Sequence, residues 1–213
     1  MLVICGTQRT GSSMLSKFLK EQGYDFGTEF WHSEINGGLE SPDICKSYQQ
    51  HLNDTTFPFI DFNASIGDRQ FTPLSDLEFE VQKFSFLLMR PEFVTHWYTQ
   101  RGNRDKLLIL SRNMEEVVES KRKTSERQQR FSGDHKLLQQ TPNELKQNFY
   151  DSLQRVLEYG IDYILLRFPD FLKDYDKLYE VLTWGNLNVP HNSKAWESHV
   201  DYTKITCSPK SQK

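Results

Sequence analysis

Leu2-Val-Ile-Cys-Gly-Thr-Gln-Arg-Thr-Gly-Ser-Ser-Met-Leu15 decides the fold. Leu2 to Cys5 is a short apolar run that alone suits a strand or a helix, and the glycine-bounded turn behind it selects strand. Ser12 or Ser13 can cap a following helix, whose Met14, Leu15, Phe18 and Leu19 recur along one face until Gly23 closes it. A strand, a glycine turn and a helix start bring unpaired backbone N–H groups and the positive end of a helix dipole to one point. That combination is an anion cradle.

Beyond residue 23, strand and helix signals alternate, the pattern of an α/β protein with a parallel sheet. Ser41-Pro42 opens a helix with Ile44, Tyr48 and Leu52 on one face. Residues 57–66 are aromatic and irregular and read as a short strand within a loop. Residues 77–88 fit two templates: Leu77, Phe79 and Val81 alternate as in a strand, while Leu77, Val81, Phe84 and Leu88 suit a helix. Lys106–Ser111 reads as a buried strand, followed by a helix from Asn113 with Met114, Val117 and Val118 toward the core. Thr141-Pro142-Asn143-Glu144 is a capping box, opening a helix carried by Leu145, Phe149, Leu153 and Val156 as far as Gly160. Tyr163–Phe168 reads as another buried strand, and Tyr175–Trp184 as the last amphipathic helix. The expectation is one α/β domain over residues 1–204, with a central parallel sheet flanked by helices, a P-loop-like turn after the first strand, and a polar tail over 205–213.

Composition bounds the function. A chain of 213 residues has room for one full core and is cramped for two. The mean hydropathy is −0.67, and no apolar run approaches the roughly 20 residues of a membrane span. A strand signal beginning at residue 2 leaves no room for a leader, so a location in the cytoplasm or facing a nucleotide-containing compartment is expected, the cytoplasm first. A net charge of −3 gives no reason to expect nucleic-acid binding. Cys5, Cys45 and Cys207 are widely spaced without a C-x-x-C, so they read as reduced thiols, and no metal site is expected.

Gly6 and Gly11 have the spacing of G-x-x-x-x-G-K-[ST], but Ser12 stands where the lysine belongs. A kinase or ATPase needs that lysine on the β/γ-phosphates. Here the positive charge lies inside the loop, as Arg9. A second anion signal follows the strand at 106–111. Arg112 stands at its carboxyl end, and Ser120 comes eight residues later, about two turns into the next helix. Ligands of open α/β sheets collect at this edge, where an arginine fork and a helix hydroxyl can reach one phosphate. The basic run Lys121-Arg122-Lys123, with Arg127 and Arg130, either extends this charge toward a ligand or is a solvated helix end suited to the macrodipole.

These segments resemble the sulfotransferases that use 3′-phosphoadenosine 5′-phosphosulfate (PAPS). The loop Thr7, Gln8, Arg9, Thr10, Gly11, Ser12, Ser13 is similar to T-x-R-[ST]-G-[ST]-[ST]-x-L of the bacterial trehalose-sulfotransferase-like branch. Ser111–Lys121 is similar to the family segment whose arginine and serine bind the 3′-phosphate. Leu165–Leu172 looks like the strand-then-R-Y-E-D-L segment, with Phe168 and Pro169 in place of the usual aromatic and acid. The late R-K-G loop of many animal members has no counterpart in 185–213, so the resemblance spans residue 2 to about residue 184. It implies PAPS as cosubstrate, held by Thr7 to Ser13, Arg112 and Ser120, and a small-molecule or carbohydrate acceptor with a hydroxyl or amine.

Sulfuryl transfer needs a base for the acceptor proton and cations for the charge that develops on the leaving phosphate. The resemblance implies Glu29 as the base, because Gly27-Thr28-Glu29-Phe30-Trp31 is similar to the family's G-x-P-x-E-Y-F, one residue shorter and without the proline. His32 and Glu34 are the alternatives. Arg9 and Lys83 supply the cations. On the strand template Lys83 lies in phase with Leu77, Phe79 and Val81, an odd place for a lysine unless an anion meets it, whereas on the helix template it is a surface residue. Val81–Phe86 loosely resembles the F-G-x-K-x-x-W context of the bacterial branch. Trp31, Trp97, Tyr98 and Trp196 either line an acceptor pocket or belong to the core. Two rivals remain: a P-loop kinase or nucleotide hydrolase, and a nucleotide-binding protein without catalysis. Ser12 in place of lysine, and a strand ending in Ser111-Arg112 in place of a Mg²⁺-binding aspartate, count against the first.

Overall fold

Alternation along the first strand builds the molecule on two sides. Val3 and Cys5 enter one core with Ile44, Phe84, Phe93, Trp97, Leu107 and Val117. Leu2 and Ile4 enter a second with Leu15, Phe18, Val81, Leu108, Leu182 and Trp196. A strand with both faces covered must be apolar throughout, and Leu2, Val3, Ile4 and Cys5 are all fully buried. The computed structural model describes residues 1–7, 9–26, 39–53, 70–120 and 141–200. The irregular stretch at 57–66, the basic run after Ser120 and the tail at 205–213 lie outside these residues.

Four strands, β1 (Leu2–Gly6), β2 (Val81–Lys83), β3 (Lys106–Ser111) and β4 (Tyr163–Arg167), form one sheet in the order β2-β1-β3-β4. Every pairing is parallel: Ile4 lies opposite Lys83 and Leu108, Gly6 opposite Leu110, and Ser111 opposite Arg167. Helices α1 (Ser12–Glu21), α2 (Pro42–Leu52) and α3 (Pro91–Arg101) precede β3. Residues 114–120 form α4, and α5 (Pro142–Glu158), α6 (Tyr175–Trp184) and α7 (Ser193–His199) follow. This is the expected α/β domain with a parallel sheet flanked by helices.

Several details differ from the sequence expectation. Gly11, in the left-handed region at φ +83°, is the N-cap of α1, and neither Ser12 nor Ser13 caps it. Residues 77–88 are neither one strand nor one helix. A 3₁₀ turn at Leu74–Asp76, the strand β2 and a second 3₁₀ turn at Leu87–Met89 divide them, which is why both templates fitted in part. The strand at Tyr163–Arg167 is an edge strand, with Leu165 46% exposed, so its apolar run does not mean burial on both faces. And α6 is not the last helix, because Asn192 caps α7 by accepting from the Ala195 N–H.

Helix α3 gives a weak periodic signal because an arginine continues its buried row of Phe93, Val94 and Trp97. Arg101 is held inside by Asp105, which also accepts the Trp97 indole N–H at 3.1 Å, and by the carbonyls of Leu74 and Leu77. Trp97 and Trp196 are core residues: Trp196 packs on Phe18 and donates its indole N–H to the Leu172 carbonyl at 3.0 Å. Tyr98 stacks flat on Tyr159. These three aromatic side chains therefore contribute to packing.

Candidate functional site

In a sheet ordered β2-β1-β3-β4, the chain leaves β1 toward opposite sides for β2 and β3. The crevice beside such a reversal, at the carboxyl ends of the strands, is where open α/β sheets hold ligands. The 7–13 loop leaves β1 at this point, with Lys83 ending the strand on one side and Arg112 following the strand on the other. Two strand spacings separate those flanks, about 10 Å.

Gly6 fixes the turn. At φ +144° its missing side chain is replaced by the neighbouring strand, since a Cβ there would lie 2.0 Å from the Leu110 carbonyl oxygen. Arg9 also has a positive φ, +66°, an uncommon conformation for a non-glycine residue, associated with sites where surrounding contacts impose it. Contacts with Arg112 and Ser120 contribute to this. The Arg112 guanidinium donates to the Arg9 carbonyl at 2.8 Å, and Arg9 Nε donates to Ser120 Oγ at 3.0 Å. Thr10 braces the interior of the loop by donating to the Thr7 carbonyl at 2.8 Å. The loop thus reaches the first turn of α1, which carries no side-chain cap and no acidic residue. An uncapped, acid-free helix start favours an anion.

On the β3 flank, Arg112 is buried and its place is set from three directions. Nε meets Glu116 at 3.0 Å, one terminal nitrogen meets the Arg9 carbonyl, and the guanidinium carbon lies 5.1 Å from the centre of the Phe168 ring. Gly11 faces the same ring, since a Cβ there would come within 2.8 Å of it. Asn113 accepts from the Glu115 and Glu116 N–H groups and so starts α4, which presents Ser120 to Arg9. The sequence pairing of Arg112 with Ser120 is therefore a spatial grouping, and it includes Arg9.

The β2 flank holds a group that sequence reasoning missed. Lys83 is 2% exposed and Glu40 6%. Glu40 lies just ahead of α2, bridged to Lys83 as a short parallel addition to the sheet edge. Its Oε1 accepts from Lys83 Nζ at 2.9 Å and from Ser85 Oγ at 2.8 Å. Lys83 Nζ also donates to Ser13 Oγ at 2.9 Å, and the Ser12 and Ser85 hydroxyls are 3.1 Å apart. The strand template for Lys83 is correct, and the anion it meets is Glu40. No motif marked Glu40. Its one signal is its position one residue before the Ser41-Pro42 helix start, where an acid also suits the helix dipole.

Thr7 carries a further clue: its hydroxyl is buried at the mouth of the loop without a hydrogen-bond partner among the described residues. Buried polar groups are almost always paired, so this hydroxyl, the bare helix start and the flanking cations suit an anionic ligand. Gln8, Glu29, Trp31, His32 and Glu34 lie outside the described residues. Cys5 and Cys45 are free thiols, and burial pushes both far above the ordinary thiol range, which makes them unreactive. Among the described residues, no helix is long and apolar enough to cross a membrane.

No known protein-family profile matches the chain, and no curated protein matches it in sequence. Solved structures do resemble it. The sulfotransferase domain from the Synechococcus PCC 7002 olefin synthase matches with a TM-score of 0.54 at 13% identity, over 98% of this chain and 80% of that one. The sulfotransferase domain from the curacin biosynthetic pathway matches with a TM-score of 0.43 at 15% identity, over 94% of this chain and 77% of that one. At the identity of the olefin synthase match the likeness is one of fold: the chain has an α/β fold similar to that sulfotransferase domain.

Proposed function

We propose that the protein transfers a sulfuryl group from PAPS to a hydroxyl or amine of a small-molecule or carbohydrate acceptor. One observation carries this reading: the grouping of Arg9, Arg112 and Ser120 on one flank of an uncapped helix start and of Lys83 with Glu40 on the other. The backbone N–H groups of Thr10, Gly11, Ser12 and Ser13 would receive the 5′-phosphosulfate, with the buried Thr7 hydroxyl as a further partner at the start of the loop. Arg112 and Ser120 would receive the 3′-phosphate. The likeness of the loop to the trehalose-type branch favours a carbohydrate among the acceptors.

The donor supplies the sulfur–oxygen bond that breaks, its electron pair passing to the 5′-phosphate oxygen. Arg9 and Lys83 then meet the growing negative charge, the role of fixed cations aimed at a leaving group. The acceptor's proton goes to a carboxylate. The resemblance implies Glu29, with His32 behind it, but the geometry offers Glu40, whose oxygen already touches Lys83 and the Ser85 hydroxyl beside Ser12. We assign the base to Glu40 on that ground.

Turnover of donor labelled in the sulfuryl group, followed across a panel of sugars, alcohols and amines, tests the reading. A positioned base contributes about 10²–10⁴-fold, so Glu40→Gln should lose that much while still binding adenosine 3′,5′-bisphosphate. Loss in Glu29→Gln with near-normal turnover in Glu40→Gln moves the base to Glu29. Consumption of ATP·Mg²⁺ with no sulfuryl transfer returns the protein to the kinase or hydrolase class.

A further inference from the structure

Arg112 lies two residues ahead of α4, and Glu116 and Ser120 follow at four-residue intervals, so the middle member is an acid. The Glu116 side chain is 45% exposed, yet its carboxylate reaches back to the buried Arg112, 3.0 Å from Nε. On this spacing, a phosphate held by both Arg112 and Ser120 would lie beside Glu116, the residue between them. Because one guanidinium spans only a few ångströms, a second anion on Arg112 comes within about 5 Å of the first.

We propose that Glu116 is an internal competitor for the 3′-phosphate. It holds Arg112 in place while the site is empty, gives up part of that contact when a 3′-phosphorylated nucleotide arrives, and takes it back as the nucleotide leaves. This rests on Arg112 and Ser120 being the 3′-phosphate site. Its consequence is specific: the carboxylate weakens 3′-phosphorylated ligands and leaves 5′-monophosphates alone. In a transferase whose spent donor keeps its 3′-phosphate, such an acid speeds product departure, a step that limits turnover in many enzymes.

The adjacent acid Glu115 has a different partner. Glu115 points toward Lys146, 3.8 Å away on α5. An ordinary surface ion pair has little energetic weight and no ligand specificity, so the two roles predict different measurements. Isothermal titration of adenosine 3′,5′-bisphosphate and adenosine 5′-phosphate into the wild type, Glu116→Gln and Glu116→Ala separates them. Both variants should bind the bisphosphate about 3- to 10-fold more tightly, the scale of one unit charge about 5 Å away through partly screened solvent. The 5′-phosphate should change less than twofold, and stopped-flow release of the bisphosphate should slow by the same factor as the affinity gain.

Equal changes for both ligands, or weaker bisphosphate binding with a lowered melting temperature, would overturn the proposal and leave Glu116 a structural clamp. Arg112→Ala checks the underlying site in the same series. If it weakens both nucleotides equally, the 3′-phosphate assignment itself fails and the role of Glu116 falls with it. If it weakens the bisphosphate selectively while the Glu116 variants show no gain, only the competitor role fails.

Discussion

Replacing Lys83 by Met should unfold the protein about 6–20 °C earlier, and adding Glu40→Gln should recover most of that loss without recovering activity. The two side chains are 3% and 8% exposed and lie 2.9 Å apart. Lys83→Met leaves the Glu40 carboxylate buried, with the Ser85 hydroxyl still donating to it. Removing one partner of a buried pair typically costs about 3–5 kcal/mol, whereas replacing both is often close to neutral. In a chain of this length each kcal/mol moves the melting temperature by about 2–4 °C, which gives the range stated. Glu40→Gln alone should be destabilised too, because Lys83 then keeps its charge with hydroxyl and amide partners only. Urea unfolding of the wild type, both single variants and the double variant yields the coupling energy directly. Sulfuryl transfer should be lost in all three variants, since the cation or the carboxylate is missing from each. Singles that each cost under about 1 kcal/mol would show that the pair is not a buried charge pair. A double variant that regains turnover would show that neither side chain takes part in the chemistry.

Three further outcomes follow from single sites. Gly11→Ala forces a side chain into the left-handed region and into the Phe168 ring on which Arg112 rests; it should cost at least about 1–2 kcal/mol in urea and weaken the bisphosphate more than the 5′-phosphate. His96 is held below the usual histidine range by burial and by the His51 ring stacked 4.1 Å away. The unfolded chain therefore takes up its proton first, and stability should fall as pH drops below about 6.5, with a shallower fall in His96→Gln. Trp196→Ala removes the one large buried side chain of α7 and should cost about 3–5 kcal/mol by thermal unfolding, with little change in nucleotide affinity once the protein is folded.

Much of this was legible in the sequence because it depends on local chemistry. The apolar run at Leu2–Cys5 before a glycine turn, and the Thr141–Glu144 capping box, specify their elements within a few residues, and both form as read. The positions of Arg112, directly after β3, and Ser120, on α4, were readable because each is tied to a strongly signalled element; their phosphate-binding role is the proposal. Glu40 was not, since its importance comes from Lys83, 43 positions later, and no spacing rule connects an acid before one helix to a lysine on a distant strand. Helix α3 was missed because its buried row runs into Arg101, a charge made tolerable only by Asp105 and two backbone carbonyls. The edge position of β4 likewise depends on sheet order, which apolar content alone cannot reveal.

The central claim is that the loop after β1 and the arginine after β3 hold one nucleotide between them. Titrating adenosine 3′,5′-bisphosphate, adenosine 5′-phosphate and ATP·Mg²⁺ into the wild type and Arg112→Ala tests it most directly. A charge-assisted hydrogen bond contributes about 1.5–3 kcal/mol, so Arg112→Ala should weaken the bisphosphate about 10- to 100-fold and the 5′-phosphate less than about threefold, with ATP·Mg²⁺ the weakest ligand of the wild type. Tighter binding of ATP·Mg²⁺ than of the bisphosphate, or an equal loss for the two adenosine phosphates, would contradict the claim.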